Sequence, residues 1–533
     1  MNVAEYISKR LLGAGVRYIY GIPGGPSIPY LEAFRNEGIE FILTSDERSA
    51  GFMADVTSRI SGTPGACHAT FGPGALNLLS GTGSAMLDRS PVIALTSEMA
   101  DEWMDRTTQM NVNHQKLFGS LVKATVRLSE FNVRESLGHI LEEALNEYPG
   151  PVHAGLPAGL AVKNLSVTGP ELPERTDKAT ENEGTFRDAV RLLRKSEKPV
   201  LVAGLSASRL VRGGEFENMI NSLHLPVLLT PMAKGIIDER NPFYGGVLFH
   251  ALSDRLKELY SDCDLVIGFG YDQVEYNYES WLPDGVPVLH LDTVIRDLPE
   301  GNIVTPYAGK PSEWFRILSE LTPPGRNKYK PNLKRIHDEM DSSFRSCSGR
   351  FGPVTVLKTL RESFPYETYF TADVGSHLHV LGQYWKTYGR KRLIMTNGWS
   401  SMGFGIPASI AAGLNNPGSK IVCITGDGGF LMSAGELLTA RRLKIPVIIV
   451  VLSDGELNLI KIKQSWQGLE PNSTVLYEGD LFGSDSFLGI KVYRATSEKT
   501  LIKALQAASD ATVPVIINAV IDSTDYDDLI VRQ

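Results

Sequence analysis

Cysteine is scarce in this chain of 533 residues, and its four cysteines lie far apart, at Cys67, Cys263, Cys347 and Cys423. No CxxC pair occurs, which argues against a cysteine zinc site and against a disulfide framework. Isolated thiols are typical of a reducing compartment. We therefore expect a cytoplasmic protein.

Long apolar runs and basic clusters are also missing. No apolar stretch reaches the length needed to span a membrane. The first 16 residues lack a signal-peptide pattern and predict an amphipathic helix that ends at glycine. The net charge is −8, and no run of Lys or Arg is long enough to follow a nucleic-acid backbone. Neither a membrane nor a nucleic acid is expected as a partner.

Predicted strands and helices alternate along most of the chain, which favours parallel sheets with helices on both faces. Polar, proline-rich stretches at 164–184 and 321–332 interrupt this alternation and predict linkers. We therefore predict an α/β protein with three doubly wound parallel-sheet domains. The predicted domains span residues 1–165, 185–322 and 335–533.

The first and third blocks contain a similar unit of strand, glycine-rich turn, helix and strand. From turn glycine to closing acidic residue, the unit spans 26 positions between Gly72 and Glu98, and 28 between Gly426 and Asp454. Any two βαβ units share this pattern, so coincidence is one explanation. The other is two copies of one fold that divide a cofactor between them.

Two carboxylates follow apolar strands in the third block. Asp427 lies in a Gly-Asp-Gly turn after the strand KIVCIT, and Asp454 follows the strand IPVIIVVL. Parallel strands bring such turns together at the carboxyl edge of their sheet, where ligands bind. Paired carboxylates there suit Mg²⁺, and the glycines allow a phosphate to approach a helix N-terminus. The alternative is that each aspartate only caps the next helix.

These motifs resemble those of thiamine diphosphate enzymes, in particular the acetolactate synthase group. The segments IPGGPSIPYLEAF, TSDERSAGFMADVTSR, FGPGALNLL, DVGSH, NGWSSMGFGIPAS and GDGGF occur in the order expected of that group. The likeness covers essentially the whole chain. The middle segment GFGYDQVEYNYESW is similar to the catabolic acetolactate synthases and lacks the arginines of the FAD-containing relatives, so FAD is not expected.

The resemblance implies a role for particular residues. Glu47 matches the glutamate that contacts the aminopyrimidine ring, and this contact lets the cofactor's own imine remove the proton from thiazolium C2. Met402 matches the residue that holds the cofactor bent, and the carbonyl of Ser400 faces its amine. The remaining cofactor contacts that it implies are Gly375, Ser376, His377, Gly426, Gly428 and Gly429.

Further implied roles concern the metal and the substrate. Asp454 stands where the family usually has a metal-binding asparagine, and Glu456 supplies a backbone carbonyl, so Asp427, Asp454 and Glu456 form the expected Mg²⁺ site. Gly25 is expected to let the backbone approach the substrate. Lys123 matches a lysine near the substrate channel, and a solvated lysine is the alternative.

The implied reaction is decarboxylation of a 2-keto acid, with pyruvate as the expected donor, and its joining to a second keto acid. The alternative is a decarboxylase that does not ligate, or a keto-compound hydrolase of the same superfamily. A regulatory protein without catalysis would be expected to lose Glu47 or Asp427, and both are present. The resemblance also implies a homodimer or homotetramer with active sites at the subunit interface.

Three departures from the family pattern concern the acceptor pocket. Lys463 stands where biosynthetic enzymes have a tryptophan that selects the second keto acid. Glu98 replaces a common glutamine, and Phe71 replaces a serine or threonine before GPG. An altered acceptor pocket is consistent with these changes, and the sequence leaves the true donor and acceptor open.

Overall fold

The computed structural model describes residues 1–165, 183–275, 281–295, 298, 303–321, 330–389 and 391–531. Both stretches predicted as linkers lie mostly outside the described residues, as does part of the segment used to argue against FAD. Within the described ranges, no helix has the length and apolar character needed to cross a membrane.

The first sheet has six parallel strands in the order β2-β1-β3-β4-β6-β5. All seven residues of β4 are buried, as expected for a parallel strand covered on both faces. Its strands are β1 (Tyr18–Ile22), β2 (Glu40–Leu43), β3 (Gly65–Ala69), β4 (Val92–Glu98), β5 (Thr125–Arg127) and β6 (Val152–Pro157). Its helices are α1 (Val3–Gly13), α2 (Ile28–Asn36), α3 (Glu47–Ser61), α4 (Pro73–Leu87), α5 (His114–Phe118) and α6 (Val133–Leu145).

The second sheet has six parallel strands in the order β12-β11-β10-β7-β8-β9. The strands are β7 (Pro199–Ala203), β8 (Val227–Leu229), β9 (Tyr244–Val247), β10 (Leu265–Phe269), β11 (Val288–Asp292) and β12 (Val304–Ala308). The helices are α7 (Glu183–Lys195), α8 (Leu205–Leu210), α9 (Gly213–Leu223), α10 (Lys257–Tyr260) and α11 (Pro311–Leu318).

The third sheet has seven strands in the order β14-β13-β15-β16-β19-β18-β17, and only the short edge pair β17–β18 is antiparallel among its described strands. The strands are β13 (Tyr369–Ala372), β14 (Leu393–Ile394), β15 (Ile421–Gly426), β16 (Val447–Ser453), β17 (Ser486–Phe487), β18 (Ile490–Ala495) and β19 (Val515–Val520). The helices are α12 (Lys330–Ser346), α13 (Pro353–Ser363), α14 (Ser376–Tyr384), α15 (Gly405–Asn415), α16 (Asp427–Ser433), α17 (Glu436–Arg442), α18 (Asn458–Trp466), α19 (Glu498–Ala508) and α20 (Thr524–Leu529).

The first and third sheets share one topology. Without the edge strand β17, the third sheet repeats the strand order of the first, whereas the central sheet has a different order. This repeat favours two copies of one fold over coincidence. The predicted α/β class with three parallel sheets is confirmed, while the domain limits themselves stay predictions.

The first and third units pack directly against each other. Helix α3 of the first unit lies against α15 of the third, where the rings of Phe52 and Phe404 meet edge to face with centroids 5.6 Å apart. Both rings belong to one buried apolar cluster that contains residues of both units. This shared apolar cluster fixes the position of the first sheet relative to the third. Loops lie at the carboxyl edges of both sheets.

Candidate functional site

The strand order of the third sheet reverses between β13 and β15. Chain segments that leave these two strands run in opposite directions, which opens a crevice at the carboxyl edge of an α/β sheet. Gly375 and Ser376 follow β13, and Asp427 follows β15. Residues separated by about fifty positions in the sequence therefore share one crevice.

Asp427 is the buried centre of this crevice. Its Oδ2 accepts hydrogen bonds from the backbone N–H groups of Asp454 (3.1 Å) and Gly455 (2.8 Å) and from the Tyr477 hydroxyl (2.9 Å). Its Oδ1 accepts from Gly428 N–H at 2.8 Å. Asp427 thus joins the two turns that the sequence paired, and Tyr477 is a participant that the motifs did not indicate.

Asp454 carries the second carboxylate of the predicted metal site. It accepts from Glu456 N–H at 3.1 Å and from Asn458 Nδ2 at 2.6 Å. Burial and the nearby charge of Asp427 raise the pKa of Asp454 to about 7. Two carboxylates that repel each other in a buried crevice are the arrangement that a bound divalent cation relieves.

Two polar atoms in the crevice fit a phosphate. The Ser376 hydroxyl and His377 Nε2 are buried, and neither has a hydrogen-bond partner within the described part of the chain. Burial lowers the pKa of His377 to about 4, so the ring is neutral near pH 7. Buried polar atoms normally have partners, so these two are available to an anionic ligand.

The predicted glycines line the same crevice closely. A Cβ at Gly428 would lie 2.7 Å from Met402 Cε, and one at Gly426 would lie 3.3 Å from His377 Nδ1. Gly375 has a φ of +155° and precedes the first residue of α14. The structure therefore brings Met402 and these three glycines together around the position where the sequence placed a diphosphate.

Asp373 was not singled out by sequence reasoning, although it opens the DVGSH motif. It is fully buried, and its carboxylate accepts from the backbone N–H groups of Gly403 (2.9 Å) and Gly405 (2.8 Å). Burial raises the pKa of Asp373 to about 6. This contact fixes the loop that carries Ser400 and Met402 above the crevice.

The same loop is strained at Ser400. Its φ of +51° lies in the left-handed region, which a serine adopts at a cost of order 1–3 kcal/mol. Asp88 of the first unit accepts from Gly398 N–H at 3.0 Å, and Trp399 packs against Gly83 of α4. Contacts from both units therefore hold Ser400 in this left-handed conformation, and the role of its carbonyl stays a prediction.

Glu47 is the first residue of α3 and is only 7% exposed. Its Oε2 accepts from Asn77 Nδ2 at 3.1 Å, and its Oε1 lies 2.8 Å from the position that a Cβ at Gly74 would take. Asp46 caps the helix by accepting from Arg48 N–H at 2.7 Å. The carboxylate is held by α4 and kept largely from water.

Residues of the third unit anchor the start of α3. Glu436 on α17 accepts from the backbone N–H groups of Ser45 (2.9 Å) and Asp46 (3.1 Å). Arg48 donates to the carbonyl of Met432 at 3.0 Å. Glu436 lies almost 400 residues from its partners, so no local pattern indicated this contact.

The contacts of three other predicted site residues do not bear on their predicted roles. Gly25 begins a short 3₁₀ turn after β1, and a Cβ there would meet nothing within 4 Å. Lys123 donates to the carbonyls of Glu143 and Asn146 at the end of α6, the latter at 2.8 Å. Glu456 pairs with Lys461 at 2.6 Å, which leaves its backbone carbonyl as the implied ligand. Their functional roles stay predictions.

Thiamine diphosphate with Mg²⁺ fits these donors. Asp427 and Asp454 would hold the cation. Ser376 and His377 would contact the diphosphate, while Met402 and Glu47 would contact the organic part. The unpartnered polar atoms, the close glycines and the paired carboxylates each match one chemical part of that molecule.

Comparison with known proteins agrees with this geometry. Family models for the N-terminal, central and C-terminal domains of thiamine pyrophosphate enzymes match residues 1–117, 186–305 and 373–519, together more than two-thirds of the chain. The chain is similar to "Acetolactate synthase" of Bacillus subtilis (strain 168), at 27% identity over 542 residues that cover 98% of this chain and 93% of that protein.

Other relatives have the same coverage of this chain. A "Probable acetolactate synthase large subunit" of Methanococcus aeolicus is 26% identical over 98% of this chain and 92% of its own length. "Acetolactate synthase isozyme 2 large subunit" of Escherichia coli (strain K12) is 26% identical over 98% of this chain and 96% of its own length. The chain belongs to the thiamine pyrophosphate (thiamine diphosphate) enzymes, and within them it is similar to the acetolactate synthases. The resemblance seen in the motifs is confirmed.

Acid sensitivity is expected from His68, a buried histidine on β3 of the first unit. His68 shares a 2.7 Å hydrogen bond with Ser27 Oγ, and burial lowers its pKa from 6.5 to about 4. The neutral ring is favoured in the folded state, so its stabilisation is complete above pH 6.5 and lost as the pH falls toward 4. Relative to His68→Gln, wild type should lose about 1.4 kcal/mol per pH unit in that window. Urea unfolding across this pH range measures the difference, and parallel profiles would contradict the prediction.

Proposed function

We propose that this enzyme decarboxylates a 2-keto acid, with pyruvate as donor, and joins the remaining two-carbon unit to a second small keto acid. The relatives named acetolactate synthase match the chain over nearly its full length, which supports this reaction. The proposal includes Mg²⁺ as the ion that links the protein to the cofactor diphosphate.

A single observation carries the proposal. At the β13–β15 crevice, the carboxylates of Asp427 and Asp454 lie beside the unpartnered polar atoms of Ser376 and His377. A bound cation would offset the negative charge of the two carboxylates, and a phosphate would supply the partner that the Ser376 and His377 atoms need. This is the chemistry of a metal-bound diphosphate.

The remaining residues then have defined tasks. Bound thiamine diphosphate supplies a nucleophilic carbon and a cationic ring that accepts the electrons released when CO₂ leaves. Glu47, held by Asn77, shares a proton with the ring nitrogen of the aminopyrimidine. Ser400 would offer its strained backbone carbonyl to the exocyclic amine, and Met402 would pack against the organic part of the cofactor.

A second copy of the chain is proposed as the partner. Five apolar side chains on elements near Glu47 are each 44–46% exposed: Leu43, Leu76, Leu431, Met432 and Leu438. Exposed apolar residues grouped in this way mark interaction surfaces. Covering them with a second subunit would exclude water from the cofactor, which supports a dimer or tetramer with active sites at the interface.

FAD is not part of the proposal, and the central sheet supports this. Its first turn, after β7, holds a carboxylate instead of a diphosphate. Glu275 Oε2 accepts from Leu205 N–H at 2.7 Å and lies 2.5 Å from the position of a Cβ at Gly204. The buried Asp292 lies at the same edge, and burial and neighbouring carboxylates raise its pKa to about 7. The Leu205 N–H, which a dinucleotide phosphate would use at such a turn, is therefore already occupied by Glu275.

Glu98 and Lys463 are two positions at which the acceptor pocket is proposed to differ from the family pattern. Glu98 is buried, with its Oε2 2.8 Å from Arg127 Nε and its Oε1 2.6 Å from Gln115 Nε2. Lys463 lies on α18. Burial, together with the charge of Lys463, lowers the pKa of His379.

A cytoplasmic location is also proposed, because the four cysteines are buried and free.

Product analysis tests the function. The purified protein with thiamine diphosphate, Mg²⁺ and pyruvate is expected to release CO₂ and 2-acetolactate, identified by mass spectrometry, without added flavin. Acetaldehyde as the sole product would favour a decarboxylase that does not ligate. If only a larger keto compound turned over, the donor assignment would be wrong while the cofactor assignment would stand. A protein that binds stoichiometric FAD would contradict the expectation of a flavin-free enzyme.

A further inference from the structure

Helix α4 carries the groups that hold Glu47. Asn77 donates to Glu47 Oε2 at 3.1 Å, and Gly74 lies against Oε1. The helix begins just after Gly72, whose φ of +70° and close approach to Met110 suit glycine. The position of Gly72 therefore sets where the start of α4 lies, and with it the two groups that contact the Glu47 carboxylate.

A chain of hydrogen bonds leads from Gly72 into the first sheet. Gly72 N–H donates to His114 Nε2 at 3.4 Å, so that nitrogen is the acceptor and Nδ1 carries the proton. His114 Nδ1 then donates to Thr96 Oγ1 at 2.8 Å, and the Thr96 hydroxyl donates to His153 Nε2 at 2.7 Å. His153 Nδ1 in turn donates to Thr125 Oγ1 at 2.7 Å. Each assignment follows from the one before it, so the donor and the acceptor of every hydrogen bond in this chain are defined.

The two histidines are suited to this neutral network. Burial lowers the pKa of His114 to about 4 and that of His153 to about 3, so both rings keep a lone pair near pH 7. The ring of His153 also stacks on Phe118 with centroids 4.1 Å apart. Neither ring has freedom to turn without losing hydrogen bonds to buried partners, which would cost about 1–3 kcal/mol for each group left unsatisfied.

A metal ion is the competing interpretation of this cluster. Glu98, His114 and His153 each offer a ligand atom within 4.8 Å of the others. However, Arg127 Nε lies 2.8 Å from Glu98 Oε2, and both histidines already hold Thr96. A cation would have to oppose the guanidinium and break the Thr96 hydrogen bonds. The cluster is therefore better explained as a closed hydrogen-bond network.

We propose that His114 is a positioning residue for Glu47, acting through the N–H of Gly72 and the start of α4. The inference rests on the proposed function, because it assigns Glu47 to the cofactor ring nitrogen. It adds a residue whose hydrogen bonds in the described part of the chain go to Gly72 and Thr96 and not to Glu47. Glu98 supports the network from the other side, since it holds Gln115, the neighbour of His114, at 2.6 Å.

Two substitutions separate positioning from packing. His114→Gln places a carbonyl oxygen near the position of Nε2 and can still accept from Gly72. His114→Asn places its amide near Nδ1 and keeps only the bond to Thr96. The main readout is exchange of the thiazolium C2 proton of bound thiamine diphosphate for solvent deuterium, followed by acid quench and proton NMR. The second readout is the dissociation constant of the cofactor with Mg²⁺.

We expect His114→Asn to slow the exchange by about 10- to 100-fold, as for a displacement of about 1 Å at a reacting group. The dissociation constant should change much less, because the diphosphate site lies in the third unit. His114→Gln should exchange within about threefold of wild type. If His114→Asn does not fold, Thr96→Val tests the same network, with a slower exchange expected.

The possible outcomes separate this inference from the proposed function. Equal rates in His114→Asn and His114→Gln, slow or fast, would overturn the role of the Gly72 hydrogen bond. Wild-type exchange in a folded Thr96→Val protein would overturn the network. Glu47→Gln, measured in parallel, tests the proposed function: if its exchange is as fast as in wild type, the assignment of Glu47 fails whatever the His114 variants do.

Discussion

Glu47→Gln is expected to retain the fold and lose turnover by about 10²- to 10⁴-fold, the range typical of a lost acid–base contribution. The amide keeps the shape of the side chain and its contact with α4. It cannot share a proton with the ring nitrogen in the way a carboxyl group does. Steady-state rates of CO₂ release measure the effect, and the Michaelis constant should change less than kcat.

A matched control separates this effect from a general loss of stability. Glu40→Gln changes an exposed glutamate on the neighbouring strand β2 and should leave turnover unchanged. Similar thermal midpoints for both variants would show that the fold is retained. If Glu47→Gln turned over pyruvate at the wild-type rate, Glu47 would not be the ring-nitrogen partner.

Asp427→Ala is expected to abolish binding of thiamine diphosphate with Mg²⁺. The substitution removes a metal ligand and leaves the N–H groups of Asp454 and Gly455 and the Tyr477 hydroxyl without their shared acceptor. Substitution of a residue that only orients a metal ligand typically lowers metal affinity by about 10- to 100-fold. Removal of the ligand itself should therefore lower the affinity by more than about 100-fold. Isothermal titration calorimetry of the cofactor in the presence of Mg²⁺ measures it.

Asp454→Asn is the matched variant and should bind within about tenfold of wild type, since an amide oxygen remains as a ligand for a hard cation. It also removes a buried negative charge beside Asp427, which partly offsets the weaker ligand. If Asp454→Asn lost binding as completely as Asp427→Ala, the second carboxylate would serve another purpose than metal binding.

The alternation of apolar strands and amphipathic helices was sufficient to predict three parallel sheets. The repeated unit around Gly72 and Gly426 also indicated that the first and third sheets are copies, and their shared strand order supports this. Such features are encoded within about thirty residues, because a strand, a turn and a helix are each determined largely by local hydrogen bonds and periodicity.

The candidate site was predicted in part for the same reason. Asp427 follows an apolar strand and begins a helix, so its place at the sheet edge could be inferred from sequence alone. Lys123 shows the limit of motif matching. Its amine contacts the carbonyl ends of α6. The position of a long side chain depends on which acceptors surround it, and the match with the family did not specify them.

The sequence by itself determined the fold class, the resemblance to thiamine diphosphate enzymes and the pairing of the Asp427 and Asp454 turns at one edge of a parallel sheet. Only the tertiary structure decided how those groups are supported. Asp373 holds the loop of Gly403, Glu436 holds the start of α3, and His114 holds Gly72. In each case a buried polar group pairs with a backbone N–H brought close by the packing of elements far apart in the chain. Such partners follow from the assembled core, because burial makes an unpaired group costly and local patterning does not specify which distant group satisfies it.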